Sequence, residues 1–573
     1  MKLWKTAVVD QKLVSSLAGE TGLPAPAVAV LVARNKKDPE SIERFLNPRL
    51  SDLSDPFLMP DMRKATDRIW DAIERKEQIV IYGDYDVDGV TGTALLVKVL
   101  TQLGATVAPF LPKRLDEGYG LTPDGLKRCL ETCNPKVIVT VDCGTNSGAE
   151  VRIASDAGVD VIVTDHHETA GRLAGVIALV NPELGDDEST ADLAGVGVAF
   201  KMCHALVKHG IDRSKRETSG IDLRNYLDLV ALGTVADIVP LVGENRILTH
   251  HGLTRLNRTE SPGLNALMDV SGIAEQDVGC YHIGFVLGPR LNAAGRLSSA
   301  EHALELLLTN DTDRAREIAR DLDKANRERK RLEDIIVTEA IKEIDGYFDR
   351  KKDFGLVTGR DGWHAGTIGI AASRLCSRYY RPAAVVAFGE DGYGRGSCRS
   401  IEMLDVVEAL RGCADLLTSF GGHKMAAGFQ IEKSKFDLFR SRFNELCARQ
   451  LKGCDLRPVQ NIDAWISIGE ADERLFDAIR KMRPFGVGNP TPVWGAEGVQ
   501  VLGQPRVLKE AHLKMKLASG GTQMDAIAFG MGDKEVPEGT LDIAFQLEEN
   551  IYMNRRSLQL NIKDFHASES GAA

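Results

Sequence analysis

Ile79-Val80-Ile81-Tyr82-Gly83-Asp84-Tyr85-Asp86-Val87-Asp88-Gly89 runs four apolar residues straight into three carboxylates at alternate positions. A short, unbroken apolar run that ends in a Gly-containing loop is the pattern of a strand buried on both faces. The pattern recurs: Val137-Ile138-Val139-Thr140-Val141 delivers Asp142-Cys143-Gly144, and Val159-Asp160-Val161-Ile162-Val163 delivers Thr164-Asp165-His166-His167. Thr106-Val107-Ala108-Pro109-Phe110 supplies another strand, and helix-like stretches, Thr91 to Leu103 and Asn146 to Ala157, lie between the runs. This alternation predicts an α/β fold with a mostly parallel, helix-flanked sheet, whose ligands bind at the carboxyl ends of the strands. One carboxylate at a strand end is common; three with a His pair on one sheet edge make a candidate site.

Clustered carboxylates cannot all ionise cheaply unless a cation is present. The apolar run Leu229 to Ala236, ending in Asp237, brings another acid. Carboxylate and imidazole without thiolate suit Mn²⁺ or Mg²⁺ better than structural zinc. A Ca²⁺ EF-hand loop is a poor match, because Leu95 stands where the acidic residue about six positions on should be. The plainer alternative for the Asp84 to Gly89 loop alone is a polar loop with an Asp cap on the helix from Thr91.

At 573 residues the chain has room for three to four domains of about 150 residues each. Its 43% hydrophobic and 27% charged residues exclude wholesale disorder and collagen-like repeats. The apolar stretch Pro24 to Ala33 is about half of the roughly 20 residues a spanning helix needs, and Met1 to Lys5 lacks a secretory pattern. A cytoplasmic protein is the expectation. Ten scattered cysteines without Cys-x-x-Cys pairs read as reduced, mostly buried thiols. A net charge of −11 argues against a globally basic duplex-coating surface, so any nucleic-acid site must be a local channel.

The expected organisation is a proline-broken lead-in over 1–60, a catalytic α/β domain over 61–310, and a long connecting helix over 311–352. The helix holds 12 Lys/Arg and 12 Asp/Glu and reads as a solvated, ion-paired connector. A second α/β domain over 353–455 and a β-rich, barrel-like domain over 456–573 follow.

Asp84-Tyr85-Asp86-Val87-Asp88-Gly89, Asp142, Asp165-His166-His167 and Thr234-Val235-Ala236-Asp237 resemble the four motifs of the DHH phosphoesterase superfamily. Within it the chain is similar to the RecJ family of bacterial single-strand-specific 5′→3′ exonucleases. That likeness continues through Gly288 to Leu297, Gly362 to Leu375, Gly394 to Ser400, Gly421 to Phe429 and Pro484 to Pro490. It implies a DHH domain, a DHHA1-like domain and an OB-like barrel. It implies Asp84, Asp86, Asp88, Asp142, His166 and Asp237 as ligands of two Mn²⁺ or Mg²⁺ ions, and His167 as a phosphate contact or proton-transfer group. Ser397, Arg399, Gly422, His423, Arg296 and Arg114 are implied for phosphate and DNA binding. Single-stranded DNA with a 5′ end is the implied substrate, with single-strand-binding protein and a RecQ-type helicase as implied partners, a monomer as the implied state, and DNA recombination and repair as the implied setting.

In the barrel region Lys509, His512, Lys514, Lys516, Tyr552, Arg555 and Arg556 are candidate strand contacts, and Tyr119 near the first motif is a candidate stacking residue. Gly195-Val196-Gly197 is a fragment of a dinucleotide fingerprint without its later glycine and preceding strand, and no nucleoside-triphosphate loop exists. Two competing readings are a small-substrate relative, which would lack the third domain, and a non-catalytic scaffold, which would have lost ligands.

Overall fold

Five parallel strands form the first sheet, in the spatial order Thr106–Phe110, Gln78–Gly83, Val137–Val141, Asp160–Thr164 and Ala178–Val180. The computed structural model describes residues 2–113, 117–118, 120–169, 171–215, 218–297, 299–552 and 555–568, without the side chains of residues 294, 296, 297 and 552. From Gln78–Gly83 the chain steps outward to Thr106–Phe110 and then crosses to Val137–Val141 on the other side. The order reverses between those two inner strands, and a crevice opens there at their carboxyl ends.

Alternate residues of each strand enter different cores. Ile79, Ile81, Val137 and Val139 pack with Val90, Leu95, Val196 and Val230 on one face, while Val80, Tyr82, Ile138 and Val161 pack with Phe110 and Leu126 on the other. Burial on both faces explains why these strands are continuous apolar runs.

The helix Thr312–Asp345 joins two cores: exposed ion pairs such as Arg314–Glu317 and Arg331–Glu328 lie on its outer side and a buried stripe runs along the other. Ala315, Ile318, Ala319 and Leu322 belong to the first core, and Ile336, Val337, Ala340 and Ile344 to the core of the next domain. Between them the buried Arg329 donates to Asn326 Oδ1 at 3.1 Å and Glu333 Oε2 at 3.0 Å, so its charge is compensated locally. The next sheet runs in the order Leu417–His423, Ala426–Glu432, Tyr393–Arg399, Ala383–Phe388 and Leu356–Asp361, and only the last pair is parallel.

Seven strands from Ala464 to Ala567 form the third sheet, which closes where Gln500 and Val501 of Trp494–Val501 pair with Ala518 and Leu517 of His512–Ser519. The opening segment is shared between two domains: residues from Val14 to Leu46 pack in the barrel's core, while Leu50, Leu53, Phe57 and Met59 pack on the first core. Leu3–Thr6 pairs in parallel with Val459–Ile462, and Val14, Leu17, Val28 and Leu31 share a core with Trp494 and Phe545. No single described helix is long and apolar enough to cross a membrane, and the apolar helix Ala25–Ala33 has six residues buried in that core.

Arg246, buried on the helix Gly243–Leu256, joins the barrel to the first domain. Its guanidinium donates to the carbonyls of Phe45, Pro484 and Arg483 at 3.0, 3.3 and 2.9 Å and lies 3.8 Å from the Phe45 ring centre.

Candidate metal centre

Three aspartates leave the first sheet in one register line. The parallel ladder continues one residue past each strand, so that Asp84 N–H donates to Val141 O, Asp142 N–H to Thr164 O and Asp165 N–H to Val180 O. Adjacent strands lie about 4.8 Å apart, so this row sets the acids side by side across the crevice.

Asp86 caps the helix Val87–Gln102, its Oδ1 accepting the amides of Asp88 and Gly89 at 3.0 and 3.2 Å. The helix starts four residues before the Thr91 expected from the sequence, and the Asp cap and the acidic cluster are the same loop. Inside its first turn the buried Asp88 receives the Gly195 amide on Oδ2 at 2.6 Å and the Val196 amide on Oδ1 at 2.8 Å. Gly195 opens the helix Gly195–Asp212, whose positive end faces the carboxylate. The Gly195-Val196-Gly197 fragment therefore binds a carboxylate of this chain. A Cβ on Gly195 would stand 2.7 Å from Asp142 Cβ and 2.9 Å from its Oδ1, so the position has no room for one.

Asp142 has a backbone φ of 62°, left-handed for a residue with a side chain, which costs of order 1–3 kcal/mol and is typical of functional sites. Asp237 follows the helix Leu227–Ala236, buried nearly all round, which is why its apolar run carries no helical period. His166 Nε2 gathers the three acids: it lies 3.1 Å from Asp142 Oδ1, 3.5 Å from Asp237 Oδ2 and 3.9 Å from Asp88 Oδ2. Asp142 Oδ1 and His166 Nε2 are buried and make no hydrogen bond.

Burial first, and then the charge of Asp86, pushes Asp88 up to about 7. Burial and the neighbouring Asp88 push Asp237 up to about 9 and raise Asp142 well above the carboxylate range. Burial beside His167 lowers His166 to about 4, leaving a neutral imidazole with a lone pair to give. His167 behaves oppositely. Burial works to lower it, but its 2.7 Å contact from Nδ1 to Asp165 Oδ1 dominates and raises it to about 9. Asp165, one of the three strand-end acids seen in the sequence but given no role of its own there, is the positioning group: despite its burial, His167 and the Thr145 amide hold it at about 2. Its signal was the Asp-His-His string itself.

Three overlapping donor groups can each hold a cation: Asp84, Asp86 and Asp142; Asp88, His166 and Asp237; Asp142, His166 and His167. The ligands are all carboxylate or imidazole, Asp142 is shared between groups, and two of the buried donor atoms make no hydrogen bond. This fits two hard or borderline divalent ions of the Mn²⁺ or Mg²⁺ kind.

Ser397 and Arg399 lie together on Tyr393–Arg399, with Arg399 donating to Ser397 Oγ at 3.0 Å. They close on the start of the helix Ile368–Tyr379, where a Cβ on Gly369 would stand 3.1 Å from both Ser397 Oγ and Arg399 Nη2. Arg399 pairs across the sheet with Ala426, and Ala426 with His423, so Arg399 and His423 share a row roughly 10 Å apart. Gly422 precedes His423 at φ 140°, with the next strand's backbone against its Cβ position. Arg114 and Tyr119 lie outside the described residues, as do the side chains of Arg296 and Tyr552. Among the barrel candidates Arg556 is tied to Glu473 and Glu549, and His512 stacks edge-on to Phe529.

An acid-and-imidazole cluster at the switch point of a parallel sheet, a long helix and a second mixed sheet define a protein of the DHH class. The DHH family, N-terminal domain, matches residues 78–234, the DHHA1 domain residues 352–449, and the RecJ OB domain residues 462–564. The single-stranded-DNA-specific exonuclease RecJ of Bacillus subtilis is 37% identical over 99% of this chain and 71% of its own. The crystal structure of RecJ from Thermus thermophilus in complex with Mn²⁺ superposes with a TM-score of 0.84 at 30% identity, covering 99% of this chain and 80% of that one. Its complex with Mg²⁺ superposes at 0.78 and 29% identity, covering 99% and 79%. The chain belongs to the RecJ family.

Proposed function

We propose that this chain is a metal-dependent exonuclease that hydrolyses phosphodiester bonds of single-stranded DNA in the 5′→3′ direction. The observation that carries the reading is the pair Asp142 Oδ1 and His166 Nε2, buried 3.1 Å apart without hydrogen bonds and ringed by Asp88 and Asp237. Asp84, Asp86, Asp88, Asp142, His166 and Asp237 would hold two Mn²⁺ or Mg²⁺ ions, which when bound would supply an activated water and charge to stabilise the leaving oxygen of an in-line displacement at phosphorus.

The chain's own groups do the rest. The amides of Gly195 and Val196 fix Asp88 so that it is set before substrate arrives. His167, oriented by the 2.7 Å contact of its Nδ1 with Asp165 Oδ1, contacts a non-bridging oxygen of the scissile phosphate or takes part in proton transfer to the departing 3′-oxygen. Ser397, Arg399 and the amides at the start of Ile368–Tyr379 receive the 5′-phosphate, with Gly422 and His423 in the adjoining row. Arg114 and Arg296 are assigned to the same strand, and the barrel holds the strand farther on. In this reading the enzyme works as a monomer in the bacterial cytoplasm, in DNA recombination and repair. A RecQ-type helicase that exposes 5′ ends and a single-strand-binding protein that covers the product are its partners.

The test uses purified protein with Mn²⁺ and 5′-phosphorylated substrates labelled at the 3′ end, one single-stranded and one a blunt duplex, beside Asp142→Ala. Progressive shortening of the single strand alone, absent in the variant and after chelation, supports the reading. Loss of di- to pentanucleotides with long strands intact assigns a small-substrate activity instead, and binding without cleavage under any divalent ion assigns a scaffold.

A further inference from the structure

Asn181 closes the strand Ala178–Val180 and is completely buried. Its Oδ1 accepts the Glu183 amide at 2.9 Å and so caps the short turn Pro182–Leu184. A cap needs only that oxygen, and Asp, Ser or Thr would supply it as well. Asparagine differs in carrying two N–H donors. Both are spent on the loops of the metal centre: Nδ2 donates to the His167 carbonyl at 2.9 Å and to Thr145 Oγ1 at 3.1 Å. Because the Glu183 amide can only donate and the His167 carbonyl only accept, the side-chain amide has a single orientation.

The two acceptors sit on different loops. His167 follows the strand Asp160–Thr164, and Thr145 follows Val137–Val141, the strand that delivers Asp142. The Thr145 amide donates to Asp165 Oδ2 at 2.9 Å, and its hydroxyl, engaged as an acceptor by Asn181, turns its own proton to the same carboxylate. The other oxygen of Asp165 takes the amides of His166 and His167 at 2.8 and 3.2 Å and His167 Nδ1 at 2.7 Å. The turn before Thr145 is tight: Gly144 has φ 108°, and a Cβ there would stand 3.1 Å from Thr140 Oγ1 and 3.3 Å from a Val163 methyl. One chain of hydrogen bonds therefore runs from Asn181 through Thr145 and Asp165 to the His167 ring, and a second, direct bond holds the His167 backbone.

Asn181, Thr145 and Asp165 are all buried, so breaking any link strands a donor or acceptor away from water, and the neighbours must shift to find a partner. The member of the chain that reaches the crevice is His167, whose side chain is 35% exposed against 2% for Asp165. A shift passed along the chain is therefore expressed at the imidazole. In a positioned site a displacement of about 1 Å costs about 100-fold in rate.

We propose that Asn181 is a positioning residue for the reaction, orienting the His167 imidazole through Thr145 and Asp165 and fixing the His167 backbone directly. The proposal rests on the exonuclease reading, in which His167 meets the scissile phosphate, and adds the residue that sets its place. Being fully buried, Asn181 meets no substrate itself. It acts on kcat through His167 and leaves strand and metal binding unchanged.

The test is a double-mutant cycle with His167→Ala, read as kcat and KM on a 5′-phosphorylated single strand with Mn²⁺, beside Mn²⁺ affinity from calorimetric titration. Asn181→Ser keeps a cap oxygen and removes both amide donors. It should lower kcat about 100-fold, with KM and Mn²⁺ affinity those of wild type, and should cost nothing further once His167 is alanine. Thr145→Val removes only the hydroxyl and should lower kcat about tenfold, again at no further cost beside His167→Ala, and Thr145→Ser should restore it. Wild-type kcat in Asn181→Ser overturns the proposal. So does an equal loss in the His167→Ala background, or a loss that follows Mn²⁺ affinity, because each places the effect outside His167. Should Asn181→Ser fail to fold, the Thr145→Val cycle decides by the same criteria. If His167→Ala leaves no measurable rate, the imidazole nitrogen resonances of His167 with Mg²⁺ decide, and a wild-type spectrum in Asn181→Ser overturns the proposal. His167→Ala as active as wild type would remove the role of His167 and this proposal with it, the exonuclease reading standing. Failure of wild type to cut any single strand removes that reading and the proposal together.

Discussion

Asp88 Oδ2 accepts the Gly195 amide at 2.6 Å, and the same glycine leaves no room for a Cβ beside Asp142. One residue therefore orients one acidic group and makes space for another. Gly195→Ala should push Asp142 out of line and lower kcat at least ~100-fold, because misplacement by about 1 Å costs that much in a positioned site. The circular dichroism spectrum should stay that of wild type. Activity within a few-fold of wild type would show that the close approach is not needed.

The acids of the cluster destabilise the metal-free fold. Asp88 and Asp237 titrate at about 7 and about 9 in the folded protein, above the roughly 3.9 of an unfolded chain. The folded state then binds more protons than the unfolded one, so the contribution of these groups is full below about pH 4 and is lost as pH rises towards 9. Metal-free Tm should fall between pH 5.5 and 8.5 on their account, and Mn²⁺ should raise Tm more at the higher pH. Asp142→Asn should abolish cleavage and raise the metal-free Tm at pH 8.5 by at least ~2 °C. Thermal melts with chelator decide it, and a lowered Tm in that variant contradicts the account.

Much of this centre was legible because short buried parallel strands are unbroken apolar runs, so Asp84, Asp142 and Asp165 announced themselves as strand ends. Mn²⁺ or Mg²⁺ followed from ligand type alone. What the residues hid lay in long-range contacts. Nothing near Gly195 signals that it faces Asp88, 107 positions away. The pairing of Leu3–Thr6 with Val459–Ile462 joins the start of the chain to the segment that leads into the barrel, so the first helices read as a lead-in while they belong to the barrel core.

Arg399 offers the bidentate geometry that a terminal phosphate needs, beside Ser397 and a helix start. Arg399→Lys keeps the charge and loses the fork. KM for 5′-phosphorylated strands should rise about tenfold, and the preference over 5′-hydroxyl strands should shrink by the same factor. A competition assay with both ends present reads this directly, and an unchanged preference would remove Arg399 from the 5′-phosphate site.

Arg246 satisfies three carbonyls from two other parts of the chain. Arg246→Met fills similar volume but strands those acceptors at a cost of about 3 kcal/mol. Tm should drop by ~5 °C or more, with early proteolysis in the loop from Arg483 to Pro490. A drop under about 1 °C would mean that the barrel is held by its apolar contacts alone.

The most direct measurement is the manganese anomalous signal from crystals grown with Mn²⁺, for wild type and Asp142→Ala. The account predicts two peaks in wild type, both contacting Asp142, one on the Asp84 and Asp86 side and one among Asp88, His166 and Asp237, with at least one lost in the variant. Peaks elsewhere, or a wild-type pattern that survives removal of Asp142, would contradict it.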